Sequence, residues 1–559
     1  GEFPFVRGNK KDNNDWYVRQ DIVVEDLAEA NKKALDVLNR GVDSLGFVLN
    51  GCQEFTKADM EVLLKDICLE CVEINFVAGC KKGSILDAFK AVVEERGIAP
   101  EKIQGGINVD PLTALTRKGK NCCDKPFENV KVNLEKMAAY KNFKTIEVGG
   151  YVFNNSGSSI VQELGFSLAA GVEYLDKLTD AGMKIDEVAP KIRFHFATGS
   201  KYFMEIAKLR AARYLWAHIV KAYNPCCDCV CKMNIHAETS EWNKTVYDPN
   251  VNMLRTQTET MSATIGGVDS FTVHPYDYIY ECHPSELGER VARNQQLLLK
   301  EESHFDKIVD PAGGSYYIEE LTQFIAEAAW KLFLEVQEQG GMVKALESGF
   351  VQAAVKATAQ KRDQDIANRK ENFLGTNQFP NFNEKMDKEL CACILEPEDK
   401  TAPDAVVETL KPYRGTQAFE AMRIRTDLFA KEQGRRPVVY MFPMGNLAMR
   451  KARAQFACNF FACAGFQVMD NNGFKTVEEG AKACMDNKAD IVVICSSDDE
   501  YATIAPEVYA AMQDKAIIVV AGNPECRPQL EEIGIKNYVH VKCNVLEDLK
   551  AYQQKLGIK

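Results

Sequence analysis

At 559 residues, with 46% hydrophobic and 26% charged residues, the chain exceeds a single small module and has the balance of an ordinary multi-domain globular protein. Its 68 lysines and arginines face 80 aspartates and glutamates, a net charge of −12, so non-specific attraction to nucleic acid or anionic membrane has no electrostatic drive. No run approaches the roughly 18 apolar residues of a membrane span, so a soluble protein is expected. The chain opens at Gly1 without an initiator methionine or a signal-peptide pattern, which points to a truncated or processed start rather than a secreted one. Its 19 cysteines are diluted through an acidic chain and include the vicinal pairs Cys122-Cys123 and Cys226-Cys227, a pattern that suits reduced thiols in the cytoplasm.

Strand-like runs lie at 42–50, 71–79, 104–109, 144–150, 191–198, 229–236, 269–275 and 307–310. Segments with helical apolar spacing fall between them, at 27–38, 85–93, 160–178, 202–223 and 291–300. Eight strand-then-helix units in series predict an α/β fold, a parallel (β/α)8 TIM barrel. Helical stretches at 321–346 and 352–369 complete a first domain expected over residues 1–376. A polar stretch with Pro380, Pro397 and Pro403 covers 377–436 and reads as a linker region. From 437 to 559, strands at 438–442, 466–470, 491–495, 516–522 and 538–541 alternate with helices. They predict a small flavodoxin-like doubly wound sheet, whose ligands sit at the carboxyl ends of the strands.

Two Cys-x-x-Cys pairs, Cys68/Cys71 and Cys226/Cys229, precede the second and sixth of these strands. A barrel sets them opposite each other on its lower rim with a packed interior between, so neither a joint zinc site nor another metal site is expected.

Four longer segments carry a resemblance. They are Phe203-Met-Glu-Ile-Ala-Lys-Leu-Arg-Ala-Ala-Arg-Tyr-Leu-Trp216, His236-Ala-Glu-Thr-Ser-Glu-Trp242, Asp310-Pro-Ala-Gly-Gly-Ser-Tyr-Tyr-Ile-Glu-Glu-Leu-Thr322 and Phe419-Glu-Ala-Met-Arg-Ile-Arg-Thr-Asp427. In this order, on a barrel followed by a five-stranded domain, the chain resembles the acyl-CoA mutases that use adenosylcobalamin. The same residues also have plain structural readings. Phe203, Ile206, Leu209, Ala212 and Leu215 form the apolar stripe of a packing helix. Gly313-Gly314-Ser315 offers backbone N–H groups to a phosphate.

The resemblance implies cobalt–carbon homolysis and radical rearrangement of an acyl-CoA inside the barrel, with the corrin on the small domain above a loop reading Asp-x-His-x-x-Gly. The corresponding loop here, Phe442-Pro-Met-Gly-Asn-Leu-Ala-Met-Arg450, has no histidine. Of the histidines at 195, 218, 236, 274, 283, 304 and 540, only His540 falls in the small domain, and Met441 and Met444 read as core. Where the family uses Ser-x-Leu and a glycine pair beside the nucleotide tail, this chain has Ser496-Ser497-Asp498 and Ala521-Gly522-Asn523. In the barrel, the family's Gly-Tyr-His becomes Gly150-Tyr151-Val152 and its glutamine after the third strand becomes Asn108. Arg117 or Lys118 stands near the place of a carboxylate-binding arginine. The family's glutamine two residues past His236 becomes Glu238, whose charge would repel the carboxylate of a dicarboxylic acyl-CoA.

Loss of one positioned acid–base group costs on the order of 10² to 10⁴ in rate, and here several are lost together. The pattern resembles the small-subunit branch of the methylmalonyl-CoA mutases. That implies no catalytic group and no cofactor on this chain, and adenosylcobalamin carried by a large catalytic subunit in a heterodimer. It implies neither a nucleic-acid nor a membrane partner. Acyl-CoA remains a possible ligand, with His236 and Ser240 as candidate substrate contacts. Two alternatives stand beside this reading. One is a free-standing acyl-CoA isomerase that uses His236 and Glu238 as acid and base; the other is a regulatory barrel that holds a CoA ester without turnover.

Overall fold

The computed structural model describes all residues except 51–53, 80, 122, 280–283, 386–399, 513 and 559. The chain divides into two compact units. The first comprises residues 1–243, 252–359 and 397–413; the second comprises 244–251, 360–396 and 414–559.

The first unit is built on parallel strands β1 (Tyr17–Val23), β2 (Ser44–Leu49), β3 (Glu73–Ala78), β4 (Gln104–Ile107), β5 (Asn142–Lys144), β6 (Ile146–Gly149), β7 (Ile192–Thr198), β8 (Asn234–Thr239) and β9 (Ser270–Thr272). They pair in the order β5-β4-β3-β2-β1-β9-β8-β7-β6. The two ends of this order are one strand interrupted at Thr145: β5 pairs with β4 and β6 with β7. The Glu147 N–H donates to Val109 O, just past β4, at 3.2 Å. Counting β5 and β6 together gives the expected eight-stranded parallel barrel.

Two strands differ from expectation. The first barrel strand is Tyr17–Val23, hidden in the sequence because Arg19, Gln20 and Asp21 interrupt its apolar residues. Arg19 Nε and Asp21 Oδ1 pair at 2.7 Å on one face, while Val18 and Ile22 are buried on the other. The run at 307–310 is not a strand; a short 3₁₀ turn, Phe305–Lys307, leads into an exposed Ile308.

Charged side chains fill the barrel interior. Glu73 pairs with Arg193 at 2.7 Å and accepts from Ser44 Oγ at 2.6 Å, and Asn75 Nδ2 reaches both Ser44 (3.1 Å) and Glu73 (3.2 Å). Burial pushes the Glu73 carboxyl up, but Arg193, Ser44 and Arg19 outweigh it and hold it below its ordinary pKa. Glycine makes the room for these groups: a Cβ on Gly46 would lie 1.8 Å from Asp21 Oδ1. The cavity left at this level, lined by Arg19, Asn75, Asn108, Lys144, Glu147 and Arg193 among others, is about 10 Å³, the space of one water.

Helix Tyr202–Lys221 buries Ile206, Leu209, Ala212 and Leu215 as its spacing predicts, but leaves Phe203 exposed, and it also buries Glu205, Lys208, Arg210 and Arg213. Lys208 pairs with Glu163 at 2.8 Å and Glu205 at 2.6 Å. Arg210 pairs with Asp310, and with Glu319 at 2.7 Å. Arg210 thereby ties the segment 203–216 to the segment 310–322. The same carboxylate of Glu319 accepts the Gly314 N–H at 2.9 Å, so an acceptor from the chain itself already occupies the loop read as a phosphate cradle.

The second unit carries β10 (Val438–Pro443), β11 (Gln467–Met469), β12 (Ile491–Cys495), β13 (Ile517–Ala521) and β14 (Asn537–Val539), parallel and in the flavodoxin-like order β11-β10-β12-β13-β14. The stretch 377–436 contributes helix Gln417–Gln433 to this unit. Glu420 on that helix is buried, accepts the Val246 N–H at 2.8 Å and pairs with Arg414 at 2.6 Å. Its role is invisible to composition because charged residues here are interior.

The expectation of reduced thiols fails at two places: Cys68–Cys71 and Cys227–Cys229 are disulfides. Both are local closures; a turn donating Cys71 N–H to Cys68 O at 3.1 Å brings the first pair together. Among the described residues nine other cysteines are free. Among the described residues no cluster of His, Cys, Asp and Glu side chains could hold a metal ion, and no helix is long and apolar enough to cross a membrane.

Removing one partner of a buried ion pair costs about 3–5 kcal/mol. Arg193→Met should therefore lower the urea stability of the barrel unit by about that amount, and Glu73→Gln in the same chain should restore part of it. Wild-type stability of the Arg193→Met protein would show that the interior network does not hold the barrel.

Candidate functional site

Strands β7 and β8 and the segment after β9 bring four groups together. His195 lies on β7, His236 and Glu238 on β8, and His274 just past β9. Parallel pairing sets His195 beside His236, and Ala197 beside Glu238. Glu238 Oε2 then lies 3.1 Å from His195 Nε2 and 3.2 Å from His274 Nε2. On its other side His195 Nδ1 is 3.5 Å from Glu147. Tyr151 packs on the His195 ring with centroids 4.5 Å apart, and Tyr278 stacks on His274 at 4.6 Å.

Charge follows from this geometry. Burial disfavours a proton on His195, but Glu238 and Glu147 outweigh burial and raise its pKa to about 9. His274 is raised too, burial again being overcome by Glu238. Burial alone would push the Glu238 carboxyl up; the two rings hold it far below its ordinary range. A carboxylate held between two histidine rings results, each ring raised in pKa by it. His236 behaves oppositely: burial, then Arg19 and His195, hold it well below its ordinary value, so it is a neutral ring with Nδ1 2.8 Å from Ser270 Oγ. The Glu238 carboxylate thus has His195 and His274 beside it. The sequence did carry a sign of them, since both lie in predicted barrel strands, 191–198 and 269–275.

The remaining candidates serve the frame. Ser240 Oγ donates to Asn154 Oδ1 at 2.7 Å, and its N–H donates to Thr198 O at 2.9 Å. Asn108 Oδ1 accepts the Ala78 N–H at 2.9 Å and ties the ends of β3 and β4. Val152 is buried in the short helix Tyr151–Asn155 after β6. Arg117 and Lys118 end the helix Pro111–Lys118. His283 lies outside the described residues.

In the second unit, ligands of such a sheet enter between the carboxyl ends of β10 and β12, where strand order reverses. Glu500 occupies that crevice. It accepts from Ser496 Oγ (2.6 Å), Ser497 Oγ (2.7 Å) and the Asn446 N–H (3.0 Å), bonds that pull its pKa down to about 2. Arg453 pairs with Asp498 at 3.0 Å beside Gly522. Tyr501 donates to Ala521 O at 2.7 Å. Met441 is fully buried and Met444 packs on the core, while His540 follows β14 and accepts the Lys542 N–H on Nδ1. The loop after β10 offers no imidazole as a ligand to the cobalt of a corrin, and Glu500 stands at the switch point.

The raised pKa of His195 fixes the sign of a pH effect. Against 6.5 for an unfolded histidine, a folded value of about 9 gives stability that is fully present below pH 6.5 and is lost as pH rises through 9. The depressed Glu238 adds stability present above pH 4.5 and lost as pH falls toward its folded value. Wild-type barrel stability should fall by about 3 kcal/mol between pH 6.5 and 9.5, at 1.36 kcal/mol per pKa unit. Glu238→Gln should flatten this loss in denaturation curves; an equal loss in both proteins would contradict the clasp.

The methylmalonyl-CoA mutase family profile matches residues 49–430 of the chain. The chain is 50% identical to the methylmalonyl-CoA mutase small subunit of Porphyromonas gingivalis, over all of this chain and 89% of that protein. It is 33% identical to the small subunit from Streptomyces virginiae, over all of this chain and 88% of that protein. Similarity to the Escherichia coli methylmalonyl-CoA mutase is 27%, over 86% of this chain and 78% of that protein. With barrel, flavodoxin-like sheet and profile in agreement, the chain belongs to the cobalamin-dependent methylmalonyl-CoA mutase family.

Proposed function

We propose that this chain is the non-catalytic small subunit of a heterodimeric methylmalonyl-CoA mutase. In this reading a homologous large subunit holds adenosylcobalamin and interconverts methylmalonyl-CoA and succinyl-CoA. The observation that carries it is the clasped Glu238. A catalytic acid or base must reach the substrate, whereas the protons of His195 and His274 face a carboxylate of the same chain. The small-subunit names of the two similar proteins support a partner chain.

The clasp speaks against a free-standing isomerase. Its proposed base, Glu238, is held far below the basic range, and its proposed acid, His236, is a neutral ring without the imidazolium proton that a strong general acid would donate. Retention of a CoA ester is disfavoured deeper in the barrel, where about 10 Å³ is free, against the roughly 300 Å³ or more of a ligand pocket. The nine free thiols among the described residues and the acidic charge support a cytoplasmic location.

Incubated alone with adenosylcobalamin and then desalted, the chain should retain no corrin absorbance and show no turnover. Mixed with its large chain it should elute as a one-to-one complex with mutase activity. Stoichiometric cobalamin on the isolated chain, together with turnover, would overturn the reading.

A further inference from the structure

Four cysteines crowd the turn ahead of β8: Cys226, Cys227, Cys229 and Cys231. One pair of them, Cys227 and Cys229, is bonded, and Cys226 and Cys231 remain thiols. The choice has a physical cause on each side. Asp186 accepts from the Cys226 thiol and raises its pKa, which keeps that sulfur protonated. Burial raises the Cys231 pKa and shuts it away from solvent. Cys227 and Cys229 are both exposed.

This bond is no structural staple. It joins residues at a sequence separation of 2, and the entropy that a disulfide removes from the unfolded chain grows with the loop it closes. The turn is braced instead by bonds that do not involve the paired sulfurs. Asp186 Oδ1 accepts the Cys226 N–H at 2.8 Å, Lys221 pairs with Asp228 at 2.6 Å, and the Val230 N–H donates to Cys227 O at 3.3 Å. A reduced pair would therefore stay on a backbone whose Cα atoms stand 5.4 Å apart, within the range from which a disulfide closes. Exposed disulfides are the ones that thiolates reach, and they are more readily reduced than structural bonds. Among the described residues all four bonded cysteines are exposed, whereas six of the nine free ones are buried, so oxidation follows solvent access rather than any need for a cross-link.

We infer that Cys227–Cys229 is a thiol–disulfide exchange site whose reaction partner is a soluble low-molecular-weight thiol. The partner's thiolate attacks one sulfur and the Cys227–Cys229 bond breaks. The other sulfur leaves as a thiolate and takes up the proton that the attacker gave up. A second partner thiol then attacks the mixed disulfide, passes its proton to the released cysteine and departs joined to the first as their own disulfide. Two electrons and two protons have then moved to the chain, and the reverse sequence restores the bond. No group of the barrel site takes part, so the inference stands apart from the subunit reading.

The test uses the full chain equilibrated in mixtures of reduced and oxidised glutathione, then acid-quenched, denatured, alkylated with iodoacetamide and cut with trypsin. The peptide 222–232 holds all four cysteines. It should carry two alkyl groups when the pair is bonded and four when it is reduced, moving between the two counts in either direction with the glutathione ratio. Two groups at every ratio would make the bond a fixed cross-link, and four at every ratio would mean that it does not form; either result overturns the inference. In Cys229→Ser the count should stay at three throughout, and a surviving step of two would overturn the pairing. The melting temperature of that variant should stay within about 3 °C of wild type, since so short a loop adds little stability. A larger fall would make the bond a staple and overturn the inference as well.

Discussion

A carboxylate buried among aromatic rings persists only if partners that favour its charge face it, and Glu238 has two, the rings of His195 and His274. The same demand runs down the barrel, where Arg193 answers Glu73 and Arg19 answers Asp21. Each pair is held by its neighbours. Gly46 leaves room for Asp21, and Asn75 and Ser44 satisfy the lone pairs of Glu73. An interior built this way is a charge network in which carboxylates and cations of the same chain face one another.

The second unit repeats the principle with different chemistry. Its crevice at the β10/β12 switch point is one that doubly wound sheets offer to ligands, yet Glu500, anchored by two serine hydroxyls and a backbone N–H, sits in it. Arg453 and Asp498 lock the adjacent loop. At the barrel strands and at the switch point alike, a carboxylate of the chain, Glu238 or Glu500, is held by neighbouring side chains.

Much of the fold was legible in the sequence because β-rich runs and helical spacing recur with barrel periodicity. Helix Leu27–Leu38 and strand Ile491–Cys495 match their predicted bounds. Legibility ended where charge enters the core. Strand Tyr17–Val23 was missed because its inward residues are Arg19 and Asp21, and helix Tyr202–Lys221 was read as simply amphipathic although Lys208 and Arg210 are buried. Glu238 was seen as a substitution, but its partners were not. His195 and His274 are 43 and 36 residues away from it in the chain, and only the register of neighbouring strands brings their rings to one carboxylate. The same holds for Glu500, whose partners cluster only once the loops after β10 and β12 meet.

The protonation state of the clasp is accessible to histidine-selective NMR on the isolated chain. His195 and His274 should both be doubly protonated at pH 7, with His195 titrating near pH 9, and His236 should be neutral across that range. Neutral rings at both His195 and His274 at pH 7 would leave Glu238 unpaired or protonated and would contradict the account.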